Sequence, residues 1–358
     1  MKRADEGLAF LLKYENVAWY DSGIVKILDR RIYPIKTEYV ECKTYEEVAG
    51  AIKDMVTQSG GPYTAAAMGM VLAAYQAINS NEKDVEKYLE KAAYVLSHAR
   101  PTTVARMEGV VNASLEVAHR LLKEGTTGND LIRALFEHAI NRCNDNYSRY
   151  DLVASNLADK IPQNGTIMTQ CFAETIIGTL LRECRRRGNE VKLFCAETRP
   201  YFQGARLTAS VACDMGFDVT VISDNMPGYT MRSKKIDLFT SAADVITMDG
   251  YIINKVGTFQ IATMADVFGI PYYVTGTPNK AHPTLDSVKI EERNEELVLE
   301  AMGTKLTMPG VKGYYPAFDI TPPKLCDGVV TDRGIFPALN LQAYYETEAN
   351  SKDDCQIC

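Results

Sequence analysis

Beyond about residue 159 the chain keeps one rhythm. Short apolar runs at 165–169, 191–195, 218–223, 244–248 and 271–274 are separated by helical segments at 174–187, 204–215, 229–234 and 258–268. Helix-length connections between strands return the chain by a right-handed crossover to a parallel neighbour, whereas an antiparallel neighbour needs only a tight turn. A parallel sheet must be covered on both faces, so the rhythm predicts a doubly wound, mostly parallel, Rossmann-like α/β domain. No glycine-rich dinucleotide or mononucleotide fingerprint follows any of the runs, which argues against a nicotinamide or ATP enzyme.

Upstream the pattern changes. Residues 17–34 alternate apolar and polar around Asp21-Ser22-Gly23, predicting a small antiparallel ribbon. A helix begins at a Thr44 cap, with Glu46 and Glu47 in its first turn, and Ser59-Gly60-Gly61-Pro62 breaks the chain after it. Runs at 64–78, 84–96, 103–123 and 130–143 carry helical periodicity. The expected organisation is therefore a mainly helical domain with a small β ribbon over 1–145, a Rossmann-like catalytic domain over 146–346 and an acidic tail over 347–358.

A formal charge of −7 over 358 residues offers no basic field for a nucleic-acid backbone or an anionic membrane, so an anionic ligand must be small and met by local cations. The nine cysteines lack a paired spacing for zinc, and no metal or cofactor is expected. Cys355 and Cys358 form a CxxC, but on the acidic tail. The start reaches an acidic pair before any apolar run, and no run is long enough to span a membrane. A reduced, cytoplasmic protein is expected.

In open α/β sheets chemistry collects at the carboxyl ends of strands. Cys171 follows one predicted strand and precedes a helix, whose N-terminal partial charge would lower a thiol pKa; a small buried apolar residue is the alternative. Asp244 sits in an apolar run, where a carboxylate needs a partner or stays protonated. Asp249 is either its partner or a turn former. Arg100, at a helix break before Pro101-Thr102-Thr103, can meet an anion with its guanidinium and the neighbouring N–H groups, or simply face solvent from a loop. Lys255, before Gly257-Thr258, is open to the same two readings. Glu197-Thr198-Arg199-Pro200 and Gln203-Gly204-Ala205-Arg206 concentrate polar groups after another strand.

These motifs carry a resemblance. Ala99-Arg100-Pro101-Thr102, Thr169-Gln170-Cys171, the run from Glu197 through Ala209, Asp224-Asn225-Met226, Ala243-Asp244, Asn254-Lys255-Val256-Gly257-Thr258, Ile290-Glu291-Glu292-Arg293 and Pro316-Ala317-Phe318-Asp319 resemble the methylthioribose-1-phosphate isomerase family. Its wider relatives are ribose-1,5-bisphosphate isomerase and the regulatory subunits of a translation initiation exchange factor. The resemblance implies that Cys171 and Asp244 are the catalytic pair and that Arg100, Gln203, Asn254 and Lys255 bind the substrate and its phosphate. It also implies a homodimer with a sugar phosphate as its small-molecule partner.

That set suits an aldose whose C1 oxygen is phosphorylated, because such a sugar cannot open by ordinary mutarotation. Asp244 as an acid would assist opening, and Cys171 as thiolate would take the C2 proton or stabilise developing charge. Proton transfer and hydride shift both remain open. The chain departs from the isomerases at Gln58-Ser59-Gly60-Gly61-Pro62, where they carry Arg-Gly-Ala-Pro. There the backbone N–H groups of Ser59, Gly60 and Gly61 are expected to replace the arginine. It departs again at Phe172-Ala173-Glu174, Tyr315 and Val245, so 5-deoxyribose 1-phosphate rivals the methylthio sugar. A non-catalytic regulator that kept a sugar-phosphate or nucleotide pocket is the alternative function.

Overall fold

The computed structural model describes residues 3–100 and 104–353, with the side chains of 105 and 348–353 left aside. Pro101, Thr102, Thr103, Cys355 and Cys358 lie outside the described residues. Contacts divide the chain into one unit ending at Ser148 and another beginning at Arg149.

In the first unit a short helix α1 (Tyr14–Val17) leads into β1 (Trp19–Asp21) and β2 (Ile24–Leu28). These pair antiparallel across a two-residue turn in which Ser22 and Gly23 both take positive φ, the geometry that matches strand twist. A third strand, β3 (Tyr39–Cys42), adds antiparallel to β2, with Val25 opposite Cys42. Periodicity did not reveal it, because four residues with exposed Tyr39 and Glu41 give too little alternation. Thr44 caps α2 (Tyr45–Lys53) by accepting from the Glu47 N–H at 3.1 Å. Then come α3 (Gly61–Asn79), α4 (Val85–Ser97), α5 (Val104–Lys123) and α6 (Gly128–Ala158). The alanine-rich α3 is buried nearly all round and forms the spine of this unit's core with Val48, Ile52, Leu89, Leu96 and Leu131. Helix α6 runs well past the expected end at 143 and carries the chain across the unit boundary.

The second unit is a seven-stranded sheet. Its strands are β4 (Thr166–Thr169), β5 (Lys192–Ala196), β6 (Asp218–Ile222), β7 (Leu238–Ala242), β10 (Tyr272–Thr275), β14 (Gly328–Thr331) and β15 (Gly334–Phe336). Spatially they run β15-β14-β10-β7-β4-β5-β6, all parallel except the β15 edge. The winding direction reverses between β4 and β7, so the carboxyl ends of those two strands frame the crevice where such sheets bind ligands. The crossovers use α7 (Thr175–Arg186), α8 (Ala209–Asp214), α9 (Pro227–Ser233) and α10 (Thr258–Phe268).

One strand assignment is corrected. The expected strand at 244–248 is not in the main sheet; β7 is Leu238–Ala242, masked in the pattern by Thr240 and Ser241. Both hydroxyls are buried and satisfied, Thr240 by the Tyr273 carbonyl at 2.8 Å and Ser241 by the Tyr272 hydroxyl at 2.7 Å. Residues Val245–Ile246 form β8 in a separate antiparallel sheet with β9 (Ile252–Lys255) and β13 (Phe318–Thr321). A hairpin of β11 (Glu300–Ala301) and β12 (Thr304–Lys305) follows α10, and α11 (Gln342–Asp353) runs into the expected acidic tail.

Candidate active site

The site in the second unit is assembled on loops that leave the sheet at β4, β5 and β7. Past Thr169 the chain turns sharply, and Cys171 takes φ +62°. A non-glycine residue there costs about 1–2 kcal/mol, so neighbours must hold it. They do so at both backbone groups: the Cys171 N–H donates to Thr198 Oγ1 at 3.1 Å, and the Thr208 hydroxyl donates to the Cys171 carbonyl. Gln170, buried beside it, donates to the Val256 carbonyl at 3.1 Å and joins this loop to the end of β9.

The loop after β5 is built to supply that strap. Asp224 fixes it by accepting from the Thr198 and Arg199 N–H groups at 2.8 and 2.7 Å. Thr198 and Phe202 also have left-handed backbone. Next, Gly204–Thr208 forms a π-helical turn, a rare geometry enriched at functional sites. Gly204 is obligatory, because a Cβ there would sit 1.8 Å from the Ala196 carbonyl oxygen. Arg206, nine-tenths buried, points its guanidinium back to the Tyr201 carbonyl and so shapes the loop.

Two cations face this thiol. Lys255 closes β9 and is only 4% exposed. Its Nζ donates to the Tyr315 hydroxyl at 3.4 Å and lies 4.9 Å from the Phe318 ring centroid. Burial lowers its pKa, and the Cys171 sulfur and Asp244 pull the other way. Arg293 lies 5.4 Å from the same ring. Burial works against its charge, but two bonds to the Glu291 carboxylate, at 2.8 and 3.0 Å, hold its pKa above the ordinary value. Burial pushes the Cys171 thiol up to about 11; Lys255 and Arg293 draw it down, while Asp244 adds to the rise. Asp319 caps α10 by accepting from the Gly257 and Phe259 N–H groups, and its own burial raises it to about 6.

The structure therefore brings Cys171, Asp244 and Lys255 within electrostatic reach of one another, and corrects two expectations about them. Cys171 is not a lowered-pKa thiolate: α7 starts four residues on, and desolvation outweighs both cations. Asp244 is not in an apolar setting either. It lies in the turn beyond β7, exposed, with its N–H donating to the Ile253 carbonyl at 2.9 Å.

Gln203 is buried, with its Oε1 making no hydrogen bond. The Asn254 amide is engaged by Thr258 Oγ1 at 3.0 Å. Asp249 is a turn former, bonded to the Thr247 hydroxyl and the Leu285 N–H. Ser59, Gly60, Gly61 and Arg100 belong to the first unit: the first three start α3, with Ser59 at φ +59°, and Arg100 is half-buried after α4. Residue-level reasoning missed Thr198, Thr208, Arg293 and Asp319 as parts of the site. All four lie in motifs quoted for the resemblance, but only packing reveals what their side chains touch. Among the described residues, potential metal ligands gather only at Glu86, Glu90 and His119 of the first unit, where the carboxylates are exposed.

A strained thiol at the switch point of a parallel sheet, faced by a buried lysine and a half-buried arginine, defines an α/β protein with a candidate site at the carboxyl edge of that sheet. The chain belongs to the initiation factor 2 subunit family, whose model matches residues 58–338. It is 34% identical over 336 residues, covering 90% of this chain and 95% of the relative, to the methylthioribose-1-phosphate isomerase of Thermotoga neapolitana. Its fold matches the crystal structure of 5-methylthioribose 1-phosphate isomerase from Pyrococcus horikoshii OT3 with TM-score 0.80 and 28% identity, over 94% of this chain and 98% of that one. It also matches translation initiation factor eIF-2B, subunit delta, from A. fulgidus with TM-score 0.75 and 28% identity, over 90% and 96% of the two chains.

Proposed function

We propose that the chain is an aldose–ketose isomerase that converts a 5-substituted ribose 1-phosphate, methylthioribose 1-phosphate or 5-deoxyribose 1-phosphate, to the corresponding ribulose 1-phosphate. The observation that carries this is the arrangement at Cys171: a thiol held in a strained backbone by two threonines, facing two cations and a carboxylate. Strain of this kind gathers at active sites, ligand clamps and switch regions, and the thiol and carboxylate together supply acid–base groups that a binding protein does not need. The isomerase relatives, aligned over nearly their whole length, support the same reading.

Because the thiol carries its proton at neutral pH, it enters the reaction as the acid. Its proton goes to the ring oxygen as the C1–O4 bond breaks, leaving a thiolate beside Lys255 and Arg293. The thiolate then takes the C2 proton and returns it to C1, while Asp244 accepts the proton of the C2 hydroxyl as the ketone forms. O4 and C1 each gain a hydrogen, and C2 and its oxygen each lose one, so the step balances without a redox partner. A hydride shift from C2 to C1 gives the same product but always leaves C1 unlabelled in deuterated water, whereas proton transfer labels it to the extent that the Cys171 thiol exchanges its proton with solvent before returning it. Arg100 and the N–H groups of Ser59, Gly60 and Gly61 are the proposed phosphate donors, and Gln203, Asn254 and Lys255 are proposed to bind the substrate. The strand order supports the Rossmann-like description. We also propose a homodimer, the commonest closed symmetry, which sedimentation as a monomer at micromolar concentration would refute.

The test is ketose formation by the purified chain over a panel of ribose 1-phosphates differing at C5. Turnover of at least one is expected. Binding without turnover across the panel would favour the non-catalytic alternative, which the likeness to the eIF-2B subunit keeps in view.

A further inference from the structure

We propose that Asp319 is a positioning residue: by holding the turn between β9 and α10 it keeps Lys255 facing Cys171 and the cysteine loop seated against that turn. The proposal deepens the isomerase reading and rests on it for the reaction, while the positioning itself rests on contacts within the second unit.

Strand β13 pairs antiparallel with β9, placing Asp319 opposite Asn254 and Phe318 opposite Lys255. Beyond Lys255 the chain turns into α10. Asp319 Oδ2 accepts the Gly257 N–H at 2.6 Å, and its two oxygens accept the Phe259 N–H at 3.2 and 3.1 Å. The cysteine loop holds the same turn: the Val256 carbonyl accepts from Gln170 Nε2 at 3.1 Å, and Gln170 is the residue before Cys171. Gly257 sits at φ +105°, and a Cβ there would lie 2.8 Å from the Gln170 amide nitrogen. Turn and cysteine loop are therefore closely packed, and one carboxylate governs where both Lys255 and Gln170 sit.

A carboxylate at a helix start complements the partial positive charge there, and many such residues only stabilise the helix. Asp319 differs in what the residues it holds adjoin. Two positions before Gly257 stands the buried Lys255, whose charge draws the Cys171 thiol down against desolvation. Burial raises Asp319 to about 6, against the pull of its N–H donors and of Lys255. Above that pH the ionised group accepts from both N–H groups; below it a proton occupies one oxygen, and the turn loses part of its hold. The groups around it leave Asp319 as the one that changes charge on the acid side. Lys255 on β9 loses its proton only as pH rises, and Tyr272 on β10, held well above the ordinary range, stays neutral. The first two turns of α10 carry no charged side chain, and Arg293, against the Phe318 ring, is paired with Glu291.

The test is the pH profile of kcat for the full chain on a ribose 1-phosphate, run beside iodoacetamide alkylation of Cys171 followed by peptide mass, and thermal melting. Wild-type kcat should fall on the acid side with a midpoint near the Asp319 value of about 6. In Asp319→Asn, kcat at neutral pH should be about tenfold to a hundredfold lower, the scale for losing a charged hydrogen bond, and that acid limb should be absent. The alkylation midpoint of Cys171 should rise above the wild-type value of about 11, because Lys255 no longer stands as close. Gly257→Ala crowds Gln170 and leaves the carboxylate intact, so it should lower kcat yet keep the acid limb; it decides the matter if Asp319→Asn does not fold. Wild-type kcat that stays flat through pH 6 would overturn the proposal, as would wild-type kcat in Gly257→Ala. An Asp319→Asn chain that melts earlier but keeps the wild-type pH profile and alkylation midpoint would overturn it too, leaving Asp319 a helix cap. A raised midpoint in Asp319→Asn without turnover of any sugar 1-phosphate would sink the isomerase reading and leave the positioning standing.

Discussion

Thr198→Val tests whether the strain at Cys171 is held for catalysis. Valine keeps the shape of threonine and the same difficulty at φ +66°, so the change isolates the hydroxyl. What is lost is the acceptor 3.1 Å from the Cys171 N–H and the contacts of that hydroxyl with the Ala196 carbonyl at 3.0 Å and Gln170 at 3.3 Å. An N–H left buried without a partner costs about 1–3 kcal/mol. The left-handed backbone at Cys171 costs about 1–2 kcal/mol on its own. The two terms are of one size, so without the strap the loop relaxes and the competent conformer becomes a minority. A shift of 1–3 kcal/mol reduces its population by about 5–150-fold. We predict that kcat for ribose 1-phosphate falls by that factor while KM changes by about twofold or less, because phosphate contacts are untouched. Iodoacetamide should alkylate Cys171 faster in the variant, since relaxation exposes the thiol. Wild-type kcat in Thr198→Val, measured alongside an inactive Cys171→Ser control, would refute the argument that the strap positions the thiol.

Cys171→Ser and Asp244→Asn should each lower turnover by about two orders of magnitude or more with substrate still bound, which single-turnover kinetics and equilibrium binding can separate. Alkylation of Cys171 should be slow near neutral pH and climb as pH approaches 11. Because the folded pKa lies above the ordinary value of 9, the neutral thiol's contribution to stability is complete below pH 9 and is lost as pH rises towards 11, so Cys171→Ala should show a shallower alkaline decline in unfolding free energy. Arg100→Ala should raise KM for every sugar 1-phosphate by a similar factor, whereas changes at Phe172 or Tyr315 should reorder the C5 substituents. The opposite pattern in a substrate panel would reverse that division of roles.

Much of the architecture was legible in sequence because it rests on local periodicity. The Thr44 cap, the four helices after Gly60 and the alternation past residue 159 follow from residues close together in the chain, where spacing alone decides which face is apolar. Motif likeness singled out Cys171, Asp244 and Lys255 as candidates because each sits in a run of distinctive neighbours, and the fold brings the three within electrostatic reach of one another. Periodicity failed at β3 and β7, the first too short and the second carrying Thr240 and Ser241, whose hydroxyls are satisfied by partners more than thirty residues away.

What only the tertiary structure decided is electrostatic. A helix after Cys171 suggested a thiolate, but desolvation by residues distant in sequence outweighs a helix start four positions on. Asp244 in an apolar run suggested a desolvated acid, but the chain has already left the sheet there, and exposure depends on what packs against a residue rather than on its neighbours in sequence. Lys255 reads as a loop lysine and is a buried one, because β13 pairs beside it and brings Phe318 against its ammonium. Sequence sets the charge a residue can carry, while burial and the partners brought by packing set whether it carries that charge and what the charge faces.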